Sequence, residues 1–171
     1  MRKIILNVAV SLDGLIEGPN GEYDWCFTDQ DYGFSAFLEN IDTILFGRKS
    51  YEMVAAMEDE QMKFPNKERF VFSRTLETVD PGFQLVKEEA KGAVQRIKNQ
   101  EGKDIWLFGG ASLTTSLMNL DLVDQLSLAV HPISLGEGKP LFQNIKGRQY
   151  WKLLDMERFS SDLVIMTYEK K

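Results

Sequence analysis

The stretch Ile105-Trp106-Leu107-Phe108-Gly109-Gly110-Ala111-Ser112-Leu113-Thr114-Thr115 constrains this chain more than any other. Four apolar residues, Ile105 to Phe108, spell a buried strand, and two glycines end it. From Ala111 onward, Leu113, Leu117 and Met118 recur at helical spacing. A strand that turns on two glycines into a helix brings bare backbone N–H groups close to whatever lies above the turn. The helix N-terminus adds partial positive charge, so the turn suits a phosphate. The same residues also describe a tight strand–helix turn with no ligand. This stretch alone does not separate the two readings.

The chain has 171 residues, enough for one domain over 1–171 with a sizeable core. A net charge of −6 disfavours nonspecific binding to nucleic acid or anionic membrane, yet leaves room for a local basic pocket. Cys26 and His131 are the only cysteine and histidine. That excludes a disulfide framework and a Cys/His zinc cluster, and no metal site is expected. A Ser-His-Asp triad would have to use His131, which sits in a strand-like run just before Pro132, so none is expected. The N-terminus turns polar at Asn7, too soon for a signal peptide, and no run is long enough to cross a membrane. A cytoplasmic protein with no nucleic-acid or membrane partner is expected.

In chain order, residues 3–10 read as a buried strand, and a long loop follows over roughly residues 11 to 31, with a Pro19-Asn20-Gly21 turn. Loops of that length in compact domains are usually functional. Asp31 precedes a helical pattern with Phe34, Phe37, Leu38 and Ile41 on one face. Thr43 to Phe46 is a strand, followed by Gly47-Arg48-Lys49-Ser50 and a helix to about Met57. Residues 58–67 read as polar surface loop, Arg69 to Phe72 as a strand, residues 83–86 as a short strand and 88–100 as a charged helix. Asp124 to His131 makes another strand, and Tyr150 to Arg158 with Asp162 to Glu169 alternates as an antiparallel pair. Strand–helix alternation closed by a hairpin predicts one α/β domain. Its sheet is mixed and mostly parallel, with helices on both faces and an antiparallel C-terminal edge.

Three strands end in residues that suit phosphate. Phe46 leads into Gly47-Arg48-Lys49-Ser50, Phe72 into Ser73-Arg74-Thr75, and Phe108 into Gly109-Gly110-Ala111-Ser112. In a parallel sheet these ends share the edge where ligands bind. Two helix N-termini there can hold a pyrophosphate, while Arg48, Lys49 and Arg74 offer cations for a further phosphate such as the ribose 2′-phosphate of NADPH. Taken singly, each basic residue is also readable as a solvated surface charge. The G-x-G-x-x-G fingerprint is absent.

These stretches, together with Val10-Ser11-Leu12-Asp13-Gly14, Leu45-Phe46-Gly47-Arg48-Lys49-Ser50-Tyr51, and Val123-Asp124-Gln125-Leu126 through Pro132-Ile133-Ser134-Leu135-Gly136 to Leu141-Phe142, run in the order found in the dihydrofolate reductase superfamily. Within it, the chain most resembles the reductase domain of the riboflavin-biosynthesis deaminase-reductase. The resemblance implies a three-layer α/β/α fold and NADPH as hydride donor. It also implies a planar heterocyclic substrate, as for 5-amino-6-(5-phosphoribosylamino)uracil reductase, and a homodimer. It places Ala9 and Ile16 beside the nicotinamide, and Gly47, Arg48, Lys49, Ser50, Ser73, Arg74, Gly109, Gly110, Ala111, Ser112 and Leu113 along the rest of the cofactor.

By the same resemblance, Asp31 is the candidate carboxylate that pairs with the substrate ring, with Asp29 and Asp13 as substitutes. Trp25, Phe27, Tyr32 and Phe34 are expected to line a slot for that ring and to desolvate the acid. Asp31 is equally well placed as a helix N-cap, and Phe34 as core. Three positions depart from dihydrofolate reductases. Ala129 stands for a threonine beside the acid, Thr114 for a tyrosine past the glycine pair, and Lys67 for the arginine that grips the folate tail. A pyrimidine- or pterin-like substrate is the leading expectation. Dihydrofolate reductase-type activity, or nucleotide binding without turnover, are the alternatives.

Overall fold

A computed structural model describes residues 1–171. Its main sheet contains strands β1 (Ile4–Val10), β3 (Ile41–Gly47), β4 (Glu68–Phe72), β5 (Gln84–Val86), β6 (Asp104–Gly109), β7 (Gln125–Val130), β9 (Trp151–Arg158) and β10 (Val164–Lys170). The order across the sheet is β5-β4-β3-β6-β1-β7-β10-β9. The run from β5 to β7 is parallel throughout, whereas β10 is antiparallel to both β7 and β9. The expected three-layer, mostly parallel fold with an antiparallel C-terminal edge is therefore what the chain adopts.

Alternation along the strands divides the core in two. Ile4, Leu6, Ile105 and Leu107 face α3 (Ala90–Lys98) and α4 (Ala111–Asn119), whose Val94, Ile97, Leu113 and Leu117 complete one buried cluster. Ile5, Ile44, Phe46, Val71 and Trp106 face the opposite way, toward α1 (Phe34–Glu39) and α2 (Arg48–Ala55). Tyr51 and Val54 of α2 are buried there, and Phe34 and Phe37 of α1 pack against Trp106.

Three local details differ from expectation. Helix α1 is only six residues long and stops at Glu39, with Asn40 as its C-cap, so Ile41 starts β3 instead of extending the helical face. The polar stretch 58–67 contains a short 3₁₀ turn, Glu60–Lys63, begun where the Asp59 carboxylate accepts from the Gln61 amide. The long loop after β1 holds a three-residue strand, β2 (Leu15–Glu17), that pairs antiparallel with β8 (Lys139–Pro140). A pairing so distant in sequence leaves no periodic mark in either segment. No helix is long and apolar enough to cross a membrane.

Candidate functional site

The C-terminal ends of β3, β4 and β6 open onto one cavity of about 580 Å³. The glycines explain why these ends come so close. Gly47 has ordinary extended backbone angles, yet a Cβ there would lie 3.3 Å from the Gly109 carbonyl oxygen and 3.4 Å from the Gly110 nitrogen. Gly109 adopts φ +109°, a region L side chains rarely enter. The Gly109–Gly110 peptide is cis. The turns that start α2 and α4 are thus in direct contact, with the Ser50 hydroxyl 3.3 Å from where a Gly110 Cβ would stand.

Both helices begin on a glycine N-cap, Gly47 for α2 and Gly110 for α4, and neither has a side chain bonded to its first-turn N–H groups. Helix α3 behaves differently, because the Glu89 carboxylate caps it by accepting from the amides of Lys91 and Gly92. Two uncapped N-termini at one cavity leave donors and partial positive charge pointing at the same place. The cations around it fall into two groups. Arg48 is held by Glu52 at 2.8 Å, one helical turn along, and Lys139 lies 3.5 Å from Glu17. Lys49 and Arg74 are exposed, line the cavity and have no side-chain partner. The one acidic lining residue, Glu88, is paired with Arg96.

Of the residues expected to hold a dinucleotide, Gly47, Arg48, Lys49, Ser73, Arg74, Gly110, Ala111, Ser112 and Leu113 line this cavity together. Ser73 turns its hydroxyl inward, where it accepts from the amides of Thr75 and Leu76 and shapes the turn that presents Arg74. Gly109 and Ser50 sit just behind the lining and set its shape. Ala9 lies in β1 and Ile16 in β2, both partly buried and both outside this cavity. Sequence reasoning passed over Val86 and Ala90, which give the cavity an apolar wall, and Lys139 on β8. The turn-forming Gly136-Glu137-Gly138 before Lys139 is the only sequence signal that would have drawn attention to it.

The substrate-side candidates form two groups. Trp25 and Phe27 pack edge-on against the His131 ring, with centroids 5.3 and 5.0 Å apart. Phe34 instead stacks with Phe37 and meets Trp106 in the core beneath α1. Asp31 stands in solvent rather than in an aromatic slot. Its carboxylate accepts from the Ser35 amide at 3.1 Å and the Ser35 hydroxyl at 2.7 Å, bonds that organise the start of α1. The reason is local: the bonds to Ser35 hold the Asp31 carboxylate over the first turn of α1, while Trp25 and Phe27 lean away toward His131. Asp29 accepts from the Tyr32 hydroxyl.

Asp13 accepts from the Ser11 hydroxyl and from the Leu135 and Gly136 amides, pinning the loop after β1 to the segment after β7. The Ser11 hydroxyl first, then those amides, pull its pKa down to about 2. Burial, then Asp24, pushes the Cys26 thiol up to about 11, so it stays protonated. His131 bonds only to backbone, which is no triad. No cluster of three or more His, Cys, Asp or Glu side chains has metal-site geometry.

The family model of the RibD C-terminal domain matches residues 2–165. The chain belongs to the RibD C-terminal domain family. YyaP, an uncharacterized protein of Bacillus subtilis strain 168, is 45% identical over 177 residues, covering 98% of this chain and 94% of YyaP. A crystal structure from Shewanella sp. PV-4, provisionally described as a riboflavin biosynthesis protein, superposes with a TM-score of 0.87 at 28% identity and covers 100% of this chain and 99% of that one. Dihydrofolate reductase from Enterococcus faecalis, solved in complex with NADP(H) and RAB-propyl, superposes with a TM-score of 0.73 at 15% identity, covering 99% of this chain and 96% of that one, and shares the fold. Family and fold are thus those that the sequence motifs suggested, and RibD C-terminal domains share the dihydrofolate reductase-like architecture seen here.

Proposed function

We propose that this RibD-type domain is an NADPH-dependent reductase that delivers hydride to a pyrimidine- or pterin-like heterocycle, an activity resembling that of 5-amino-6-(5-phosphoribosylamino)uracil reductase. One observation carries the reading: two uncapped helix N-termini and two unpaired cations, Lys49 and Arg74, meet at one cavity. That donor set fits a ligand with a diphosphate and one further phosphate. The first-turn amides after Gly47 and Gly110 would hold the diphosphate. Lys49 and Arg74 would read the 2′-phosphate, and Val86 and Ala90 would face the adenine.

NADPH, when bound, supplies the hydride. The protein's own share is to orient a planar ring beside it, exclude water and let a proton reach the ring nitrogen. Asp31, at the head of α1 and open to solvent, is the carboxylate assigned to orient that ring. Titrating NADPH and NADH into the purified protein, followed by calorimetry, tests the reading. Micromolar NADPH binding with weaker NADH binding supports it, and no binding of either ends it.

A second reading, nucleotide binding without turnover, draws on the solvated, Ser35-bonded Asp31 and on Ala129 in β7. NADPH oxidation stimulated by an aminopyrimidine or a dihydropterin decides between the two. The dimer expected from the family resemblance is assigned to the β9 edge, where Tyr150, Leu153, Leu154 and Met156 are between 43% and 63% exposed. Light scattering gives the mass that tests it.

A further inference from the structure

His131 is 3% exposed and lies just past the end of β7, at the same sheet edge as the cavity and separated from β6 by β1. Its Nδ1 is 2.9 Å from the Ala129 carbonyl oxygen, and its Nε2 is 3.1 Å from the Phe27 amide nitrogen. A carbonyl only accepts and a backbone amide only donates, so the two bonds fix the ring without ambiguity. The proton sits on Nδ1, and Nε2 offers its lone pair to Phe27.

The same ring is the surface on which Trp25 and Phe27 rest. Phe27 leans in turn on Tyr32, whose hydroxyl reaches Asp29 and Ser161. Phe27 is 37% exposed, so this aromatic wall has one side on the protein and one side free.

We propose that His131 is a positioning residue for the substrate side: as the neutral Nδ1–H tautomer it fastens the Trp25–Phe27 wall to the end of β7. Resting on the reading of residues 25–32 as the substrate side, this assigns the aromatic wall a switchable anchor that none of the cavity-lining residues supplies. Protonation of Nε2 would turn the acceptor into a donor facing the Phe27 N–H, and the wall would come free.

The ionisable groups on the surrounding segments leave the ring alone. Asp29 is bonded to Tyr32, Asp13 to Ser11 and the 135–136 amides, and Asp162 to Arg158. Asp24 and Cys26 flank Trp25, and no carboxylate forms an ion pair with His131. Burial lowers the pKa of the imidazole, opposed by the Ala129 bond, which agrees with a ring kept neutral.

The test is NMR on the full ¹⁵N-labelled chain, where a single histidine gives a single pair of imidazole nitrogens. Near neutral pH, Nδ1 is expected protonated and Nε2 bare. On acidification, the Phe27 amide and Trp25 indole signals should move together with the imidazole, while the Gly110 and Ser112 amides hold still. An Nε2–H tautomer, or an imidazole that titrates without moving Phe27 and Trp25, overturns the proposal. His131→Phe keeps a ring but loses the acceptor. Phe27 amide exchange should then quicken roughly tenfold and its acid response vanish, with NADPH affinity retained. Unchanged exchange overturns the proposal as well. If that variant does not fold, the wild-type titration alone decides. Absence of NADPH binding by the wild type would strike the proposed function and leave the tautomer result standing.

Discussion

Gly47 and Gly109 touch through their backbones: a methyl group on Gly47 would stand 3.3 Å from the Gly109 carbonyl oxygen. Since Gly47 has φ −77°, alanine is conformationally allowed there, and only the contact opposes it. The neighbour is backbone and yields only if the β6–α4 turn shifts. Gly47→Ala is expected to cost about 1–2 kcal/mol of stability, as overpacking does. It should also weaken NADPH binding by about tenfold, because both helix N-termini are displaced. Chemical denaturation and a ligand titration on the same sample check the two effects. Full retention of NADPH affinity would show that the contact does not shape the site.

Arg74 and Lys49 are the free cations of the cavity. Loss of a charge-assisted phosphate contact is worth roughly 10- to 100-fold in affinity. Arg74→Ala should therefore weaken NADPH by that factor and leave NADH nearly untouched. Equal losses for both nucleotides would remove Arg74 from the 2′-phosphate. Arg48→Ala is expected to do less than either, because Glu52 already holds its guanidinium.

Asp31→Asn preserves an acceptor for the Ser35 amide and so keeps the start of α1 in place. If the carboxylate serves the substrate ring, turnover should fall by roughly 10²-fold, the usual scale for a positioned acid or base, while the melting temperature barely moves. A variant with normal turnover and normal melting would leave Asp31 as a helix-start residue only.

Gly138 adopts φ +149°, and a Cβ there would come 2.1 Å from the Glu17 carbonyl oxygen. Gly138→Ala combines a strained backbone with a clash against backbone, and a loss of about 2–4 kcal/mol is expected. The damage should concentrate in the β2–β8 pair. Hydrogen exchange at residues 15–17 and 139–140 would show it, and unaltered protection there would contradict the account.

Two groups give the loop after β1 separate responses to acid. His131 has its pKa lowered from 6.5 by burial, so the unfolded chain takes up the proton first. Its contribution to stability is whole above that ordinary value and is lost as pH falls through the lower folded value. Asp13, pulled from 3.8 to about 2, contributes fully above 3.8 and loses that contribution only as pH falls through about 2. Thermal melts of the wild type and His131→Phe from neutral to weakly acidic pH should converge as the first contribution disappears. Parallel curves would show that the imidazole carries none.

The parts of the fold that the sequence displayed are those written in short-range pattern. Ile105 to Phe108 followed by two glycines forms the strand and turn that its apolar run and glycine pair implied, and Val94, Ile97, Leu113 and Leu117 face inward as their spacing implies. That the ends of β3, β4 and β6 would meet at one cavity was legible because strand ends in a parallel sheet share an edge. The pairing of Glu17 with Lys139 was not, because it joins segments more than a hundred residues apart and each is too short for a period. The helical spacing of Phe34 and Phe37 allowed both core and pocket, and the structure takes the core. That Trp25 and Phe27 lie apart from them, on His131, had no signal in the sequence. The His131–Phe27 bond depends on where a loop returns, which residue spacing does not encode.

Strand β1 stands between two groups of candidate residues: β6, β3 and β4 lie on one side with the cavity, and β7 lies on the other with His131, Trp25 and Phe27. The groups that would grip the donor are therefore carried mainly by different strands from those that would meet the acceptor. Mutations that rebuild residues 18–31 can accumulate without touching Gly47, Arg74 or Gly110. On the proposed reading, a change of acceptor would therefore ask for no change on the donor side.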